Sequence, residues 1–518
     1  MDCNESGLYA LLADETTDKS TKEQVTICLR FIDPHNKYEI REEFLAFQEA
    51  TDGISGEALA DLLLSSLREH GVDVGKMCAQ GYDGASNMSG RYRGVQARVR
   101  EINPDTVYVH CKEHCLNLAI VHSCKEQCVR TIMGTVQDIT FALDYSSKRL
   151  LAFCEELSGD ENVQEQMDQR TKLRTLCETR WTSRADALLT FLRAFPVVVR
   201  ALEHLQENGD VKAGQHLHVI LKWDFIIDLV VCEHILQSTV FLSTFLQNVS
   251  CDLMEAARES EVVINTLTNE RNDPEVWNAL FEKASDVAGQ FDVIPSKPRT
   301  AGLQGHRNNI PCRISHRILE EVMHSIHMTL ELTDRLLGGT VHDRFLAQYL
   351  VASSIHRITL DIKGRLFDAF AQYLTPHDQH VFNAEKRRWE TKWNGADVSI
   401  IKPTMLQDTL KECNWDLYPC ISTMIRVLLT MPVSTSTAER SFSSLRRIET
   451  YLHSTMGQGR LSDLPLLHIH RDQQIDINSA IEQFATDKKK RASFWILSVF
   501  SDIQCMYYTD NYGLLGFT

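Results

Sequence analysis

The chain has 518 residues, which corresponds to three or four domains at roughly 150 residues each. With 43% hydrophobic and 24% charged residues and only 24 Gly and 12 Pro, it is an ordinary folded protein rather than a mainly disordered or fibrous one. The formal net charge of −16 excludes a general cationic surface, so any contact with DNA must be local.

The cysteines and the apolar stretches indicate a reducing compartment and no membrane. The 15 cysteines have irregular spacings, which favours free thiols in a cytosolic or nuclear protein over a disulfide framework. The N-terminal residues MDCNESGLYALLADETTD have no basic segment followed by an apolar one, so they predict no secretory signal. The longest apolar stretch, Trp223–Leu246, includes polar groups such as Asp228 and Glu233, and we expect neither a membrane span nor a membrane partner.

The N-terminal part of the chain has the pattern of a mixed sheet with helical crossovers. Three β-rich runs at 7–13, 24–31 and 38–47 predict a three-stranded meander. Helices are predicted at 56–69, at 95–102 and from 114 to about 150, and further strands at 76–81 and 106–110. This order predicts an α/β fold with the first strand in the centre of the sheet, which is the order of the RNase H fold.

The strand patterns fade in the middle of the chain. Helical spacing dominates from about 188 to 429, for example at Trp223–Leu246, 317–337 and 344–374, so we expect a large helical insertion. After Pro432, the residues STSTAERSFSSLRRI begin a further helix with Glu439 near its start, and LSDLPLLHI begins another.

Three acidic residues are candidates for a catalytic site. Asp14 lies at the end of the first predicted strand and Asp83 follows the fourth, and these strands are neighbours in an RNase H-like sheet. Glu439 is the candidate for a third carboxylate if the chain returns to the sheet after the insertion. Such a cluster holds two Mg²⁺ or Mn²⁺ ions about 4 Å apart for phosphodiester chemistry. The alternative is that the aspartates are turn or cap residues and Glu439 an exposed first-turn glutamate.

Cys111 and His114 form a CxxH pair in VHCKEHCLNLA. A zinc site is one interpretation, since His110, Cys115, His122, Cys124 and Cys128 are nearby in sequence. No second pair has zinc-finger spacing, however, and buried thiols beside a hydrogen-bonded histidine are the favoured interpretation.

Arg180 and Trp181 in CETRWTSR are suited to DNA, because a guanidinium grips phosphate and an indole stacks on a base. The alternative is a core tryptophan beside a surface arginine.

These segments together resemble the hAT superfamily of DNA transposases, in the animal branch related to zinc-finger MYM-type and THAP-type transposon-derived proteins. The resemblance lies in LLADETTDKSTKEQVTICLRF, GYDGASNMSGRYRGVQA, YVHCKEHCLNLA, TRWTSR and the block from STSTAERSF to LLHIHRD. It implies that Asp14, Asp83 and Glu439 are the metal-binding DDE triad, that Cys111 and His114 are the CxxH motif, and that Trp181 contacts flanking DNA.

The resemblance also implies a domain organisation. Residues 1–187 would form the first part of the RNase H-like core, 188–429 the helical insertion, and 430–475 a dimerisation region that completes the core, with 476–518 an unassigned tail. A homodimer or higher oligomer is implied. We expect the contact to use apolar residues of this region, although a core role for the same residues is equally consistent: Phe442, Leu445, Ile448, Leu452, Leu461, Leu464, Leu466, Leu467 and Ile469.

Two functions are consistent with these features. The first is a nuclear hAT-like transposase or transposase-derived protein, with metal-dependent DNA cleavage and strand transfer if active. Its relatives carry an N-terminal zinc-finger module for DNA recognition, which we expect this chain to lack. The alternative is a domesticated, catalytically inactive, dimerising nuclear protein that acts in transcription regulation. An RNase H-like nuclease unrelated to transposition is disfavoured, because it leaves the insertion and the C-terminal block unexplained.

Overall fold

The computed structural model describes residues 2–36, 38–123, 127–175, 181–295, 343–374, 379–394, 401–448, 457–471 and 476–479. The chain divides into a large compact unit, Met1–Pro465, and a small one, Leu466–Thr518. The sheet and the candidate catalytic residues belong to the large unit.

A five-stranded mixed sheet forms the N-terminal part of the large unit. Its strands are β1 (Tyr9–Thr17), β2 (Glu23–Ile32), β3 (Ile40–Glu49), β4 (Met77–Tyr82) and β5 (Val107–His110). Their order is β3-β2-β1-β4-β5, so β1 is central, antiparallel to β2 and parallel to β4. The predicted fold class, an RNase-like mixed sheet followed by helices, is confirmed.

The remaining elements are helices, given in chain order in three groups. The helices up to the end of the sheet are α1 (Asp2–Ser6), α2 (Gly56–Glu69), α3 (Ser86–Ser89) and α4 (Val95–Ile102). Those that follow β5 are α5 (Lys112–Ser123), α6 (Gln127–Asp144), α7 (Ser147–Ser158), α8 (Glu161–Gln166), α9 (Trp181–Arg193), α10 (Phe195–Glu207), α11 (Val211–Ile220), α12 (Trp223–Leu246), α13 (Leu253–Arg271) and α14 (Pro274–Gly289).

The third group follows residue 343. It includes short 3₁₀ helices at Asp343–Leu350, Ile355–Arg357 and Ala371–Tyr373. A further 3₁₀ helix, Val74–Lys76, lies between α2 and β4. The α-helices of this part are α15 (Leu360–Phe370), α16 (Gln379–Asn394), α17 (Leu406–Lys411), α18 (Pro419–Thr430), α19 (Ser436–Ile448) and α20 (Gln458–Ile469). The predicted helix at 317–337 lies outside the described residues.

Helices cover both faces of the sheet, which explains why β1 is apolar on both sides. Alternate residues of a strand point to opposite faces. Tyr9, Leu11 and Ala13 accordingly belong to one core, shared with α2 and α4, whereas Ala10 belongs to a second core that continues into the helical region. Because that second core is continuous, the insertion packs directly on the sheet.

Helix α12 lies at the centre of the helical region. By length and composition it is the one described helix that is apolar enough to cross a membrane, but 67% of its apolar window is buried inside the fold. Trp223 at its start packs edge-on against Phe281 of α14, with ring centroids 5.3 Å apart. This burial is that of a core helix.

Arg30 joins the sheet to the helical region. Its side chain is 1% exposed, and its guanidinium lies 2.7 Å from the Glu42 carboxylate on β3. It also donates to the carbonyl oxygens of Val249 and Cys251, both at 2.8 Å, and of Leu429 at 3.2 Å. One buried side chain of β2 therefore holds the connection between α12 and α13 and the end of α18 against the sheet.

Candidate active site

Asp14 lies inside β1 and not at its end, which corrects the expectation from sequence. The strand continues to Thr17 because it stays paired with β2, with Asp14 opposite Thr26. The parallel pairing with β4 stops earlier, at Leu12 and Gly81. Asp14 therefore lies just beyond the last paired residues of β1 and β4, where the sheet opens on that side.

Asp83 follows β4 directly. Its Oδ1 accepts a hydrogen bond from the backbone N–H of Ala85 at 3.1 Å, and its carbonyl oxygen accepts one from the Tyr108 hydroxyl at 3.0 Å. The turn after β4 is thus held both by the aspartate itself and by the neighbouring strand β5. Its half-buried carboxylate lies at the carboxyl end of β4, beside β1.

The C-terminal part of the chain returns to this edge of the sheet. A Cβ atom on Gly81 would lie only 2.6 Å from Cγ of Pro432, so this close approach requires glycine in β4. The backbone N–H of Lys112 donates to the carbonyl oxygen of Val433 at 2.8 Å. Helix α19 begins just after this contact, and Glu439 lies in its first turn, half-buried.

The three predicted acids form one electrostatic cluster. The pKa of Asp14 is raised well above its ordinary value, first because burial removes water from the carboxylate, and then because Glu439 and Asp83 repel a further negative charge. A hydrogen bond to Asp14 Oδ1 from the backbone N–H of Glu15, at 2.9 Å, opposes this effect. Asp83 and Glu439 therefore both lie within electrostatic range of Asp14 despite their separation in sequence.

The donor set suits a hard divalent cation, because Mg²⁺ and Mn²⁺ prefer carboxylate oxygens. A cation would also relieve the repulsion that raises the pKa of Asp14. Within the described residues, however, no three His, Cys, Asp or Glu side chains are close enough together to hold one ion. The cluster has the right chemistry, but its carboxylates are not at coordination distance from a common point.

Glu15 is a fourth acid that the sequence interpretation missed. Its Oε1 accepts a hydrogen bond from Asn87 Nδ2 at 2.9 Å. Burial raises the pKa of Glu15, the Asn87 hydrogen bond lowers it, and the charge of Asp83 raises it further. Because neighbouring residues of a strand point to opposite faces, adjacent acids would not be expected to share a site. The signal that could have found it is the acid pair in LLADETTD.

The CxxH pair contacts the C-terminal segment that returns to the sheet, through Cys111 and Thr435. Cys111 is buried, and its sulfur accepts from the backbone N–H and the hydroxyl of Thr435, both at 3.4 Å, and from the His114 N–H at 3.5 Å. Burial raises the pKa of the Cys111 thiol to about 12, and the charge of Glu113 adds to this. Zinc ligation needs a thiolate. No zinc-binding group is found among the described residues.

Glu113 connects three parts of the molecule. Its Oε2 accepts from the Ser436 hydroxyl at 2.8 Å, and its Oε1 accepts from Gln247 Nε2 at 2.6 Å. Gln247 follows α12, and its carbonyl oxygen also accepts from Arg440 at 3.2 Å. The start of the helix that carries Glu439 is therefore bound both to the CxxH segment and to the insertion.

The predicted DNA-contact residues fall at the edge of the described chain. Arg180 lies outside the described residues. Trp181 is the first residue of α9, and nothing further is described for its side chain. Their DNA contact therefore stays a prediction.

The apolar residues predicted for dimerisation differ in their burial. Phe442, Leu445 and Leu461 are buried inside the fold, and the Phe442 ring stacks on Phe47 of β3 with centroids 6.0 Å apart. Leu466 and Leu467 are 36% and 43% exposed. Three further positions are half-buried: Ile448, Leu464 and Ile469. Leu452 lies outside the described residues.

Comparison with known protein families agrees with this architecture. Residues 3–94 match a family described as the ZMYM1/FAM200, RNase-like domain, and residues 399–472 match the hAT family C-terminal dimerisation region. The chain thus has segments that match an RNase-like domain and a hAT dimerisation region, and its resemblance to the hAT superfamily is confirmed.

Two curated relatives extend the similarity over most of the chain. The human protein named 52 kDa repressor of the inhibitor of the protein kinase is 22% identical over 511 residues, which cover 93% of this chain. The mouse protein of the same name is 23% identical over the same length. The chain spans 64% of the length of each of these relatives.

Proposed function

We propose that the chain is a hAT-type DNA-cleaving and strand-joining protein whose metal-binding residues are Asp14, Asp83 and Glu439. The observation that carries this proposal is geometric: Asp14 lies just beyond the last β1–β4 pair, Asp83 directly follows β4, and the chain leading to Glu439 packs against Gly81 of β4 through Pro432. Bringing three carboxylates together raises the electrostatic free energy of the folded state. A bound divalent cation is the usual compensation.

The three residues have different supports in this proposal. Asp14 supplies an oxygen ligand from the central strand, and Asp83 supplies one from a turn held by Ala85 and Tyr108. Glu439 supplies a third from a helix anchored to Cys111 through Thr435 and to Glu113 through Ser436. When bound, Mg²⁺ or Mn²⁺ would activate the attacking oxygen and stabilise the leaving oxygen of a phosphodiester.

The proposed assembly is a homodimer or higher oligomer in the nucleus. It is supported by the match of residues 399–472 to a dimerisation region and by the exposed Leu466 and Leu467 within it. Recognition of a specific DNA sequence would need a zinc-finger module such as the relatives of this superfamily carry. In this proposal the chain acts in the nucleus, and DNA is the substrate that it cleaves.

The test is Mn²⁺-dependent cleavage of a plasmid that carries the genomic sequence flanking this gene. Wild type is compared with Asp83→Asn and Glu439→Gln, and with Asp228→Asn as the matched control. Asp228 is a half-buried acid of α12 outside the cluster. Cleavage by wild type and the control, lost in both cluster variants, supports the proposal. Cleavage that survives both cluster variants, or no cleavage by folded wild type, overturns it.

A second candidate is a dimerising nuclear protein that regulates transcription without cleaving DNA. Two observations favour it: no three His, Cys, Asp or Glu side chains among the described residues are grouped to hold one ion, and the two curated relatives are each named as a repressor of the inhibitor of the protein kinase. A reporter assay with the chain tethered to DNA separates the two functions. Equal repression by wild type and by Asp83→Asn, with no cleavage by either, would favour this candidate.

A further inference from the structure

We propose that residues 90–94, GRYRG, form a DNA-strand contact beside the carboxylate cluster, and we call this segment the RYR loop. In it Arg91 and Arg93 bind phosphates and Tyr92 stacks on a base. The inference deepens the proposed function and rests on it, since DNA is the substrate class of that proposal. It concerns residues other than Arg180 and Trp181.

The RYR loop is built onto the turn that carries Asp83. Asp83 Oδ1 accepts from the N–H of Ala85, the residue before α3, and the Ser89 hydroxyl at the end of α3 contacts the carbonyl oxygens of Gly84 and Ala85, both at 3.0 Å. The loop begins at the next residue. Only the short helix α3 therefore separates the loop from the turn that carries Asp83.

Close backbone contacts constrain the loop. The N–H of Gly94 donates to the carbonyl oxygen of Gly90 at 3.0 Å, and a Cβ on Gly94 would lie 2.4 Å from the Gly90 nitrogen. At the start of α2, a Cβ on Gly56 would lie 2.2 Å from the carbonyl oxygen of Arg93. The backbone is thus closed on itself between Gly90 and Gly94 and packed against the start of α2 at Arg93, which lowers the conformational entropy lost on binding.

The three side chains of the loop point away from the core. Tyr92 is 80% exposed, although tyrosine rings are usually at least partly covered. The Arg91 guanidinium lies 5.8 Å from the centroid of the Tyr92 ring. In the part of the chain that the structure describes, neither Arg91 nor Arg93 forms an ion pair, while many other arginines do.

This combination fits a nucleic-acid strand. Phosphates attract unpaired arginines, and every base can stack on an exposed aromatic ring whatever its sequence. The net charge of −16 makes the local placement of two cations decisive, because no general field would hold DNA near the acids. Arg91 and Arg93 would supply the attraction that the carboxylate cluster itself opposes.

The test is equilibrium binding of a fluorescent single-stranded DNA oligonucleotide to the full chain in EDTA, by fluorescence anisotropy over a range of salt concentrations. The double variant Arg91→Ala/Arg93→Ala should weaken binding about tenfold or more and reduce the slope of log K against log salt by about 1.4, or 0.7 per phosphate contact. Tyr92→Ala should weaken binding about tenfold, while Tyr92→Phe, which keeps the ring, should bind like wild type.

The matched control is Arg357→Ala/Arg387→Ala, which removes two exposed arginines from the helical region. Its net charge therefore equals that of the loop double variant. Binding lost in the loop variants and retained in the control supports the proposal. Equal losses in both double variants, unchanged binding in the loop variants, no binding by wild type at low salt, or tighter binding of the matching RNA would overturn it. Because the assay excludes metal, it reports on the loop even if the chain cleaves no DNA.

Discussion

The carboxylate of Glu113 accepts a hydrogen bond from the hydroxyl of Ser436 at 2.8 Å, across a separation of 323 residues. Glu113 is in the first turn of α5 and Ser436 is the first residue of α19. The same carboxylate accepts from Gln247, at the end of α12. A single buried acid therefore fixes where α19 begins, and with it the position of Glu439 one turn later.

Replacement of Glu113 should loosen this junction. In Glu113→Ala the donors of Ser436 and Gln247 lose a charged partner, so the free energy of unfolding should fall by about 2–3 kcal/mol. Urea unfolding measures this change. The control is Glu155→Ala, an exposed acid on α7, which should change stability by less than about 0.5 kcal/mol. Equal effects of the two variants would contradict the assigned role of Glu113.

Asp14→Asn should stabilise the protein at neutral pH. The folded pKa of Asp14 lies above its unfolded value, so as the pH rises from about 4 the unfolded chain loses this proton first and the folded state loses stability. Asparagine removes that loss. Thermal unfolding between about pH 4 and pH 7 should therefore show a shallower decline for the variant than for wild type.

The same variant separates a metal site from simple burial. Mn²⁺ should raise the melting temperature of wild type and not of Asp14→Asn, because only an ion bound to the folded state stabilises it. Asp228→Asn is the matched control, since burial raises the pKa of Asp228 to about 7 with the charge of Asp224 adding to the effect. The Asp228→Asn variant should change how the melting temperature depends on pH. It should still be stabilised by Mn²⁺ as wild type is. An Mn²⁺ effect of the same size in all three proteins would argue against a site at Asp14.

Much of the sheet could be predicted from sequence. The runs of β-branched and aromatic residues located all five strands, and their order placed β1 in the centre. The end of β1 was misplaced because ADETT is polar, and polar residues normally signal a turn. Here β2 continues beside β1, with Gln24 and Val25 opposite Thr16 and Glu15, so pairing prolongs the strand through polar residues.

The convergence of Asp14 and Asp83 follows from strand order, but the position of Glu439 does not. It depends on contacts that no local pattern contains, such as Pro432 against Gly81 and Thr435 against the Cys111 sulfur. The resemblance assigned Glu439 to the same site as Asp14 and Asp83. The contacts at Gly81 and Cys111 explain why the chain returns to this edge of the sheet.

Removal of metal ions should not unfold the CxxH segment. Burial raises the pKa of the Cys111 thiol to about 12, and the sulfur accepts hydrogen bonds from Thr435, so we expect a protonated thiol that binds no zinc. Dialysis against a strong chelator should leave the melting temperature unchanged, whereas Cys111→Ala should lower stability by about 1–2 kcal/mol through the lost hydrogen bonds and the small cavity. A large loss of melting temperature on chelation, reversed by zinc, would show that the segment binds metal.

The apolar residues of the C-terminal region should separate into stability and assembly positions. Leu445 is 2% exposed within the fold, so Leu445→Ala should lower the free energy of unfolding by about 2–5 kcal/mol. Leu466 and Leu467 are exposed, so the double variant Leu466→Ser/Leu467→Ser should leave stability nearly unchanged and weaken self-association, measured by sedimentation at several protein concentrations. Leu151→Ser, at a 60% exposed leucine of α7, controls for loss of surface apolar area. If the double variant assembles as wild type does, the contact between subunits lies elsewhere.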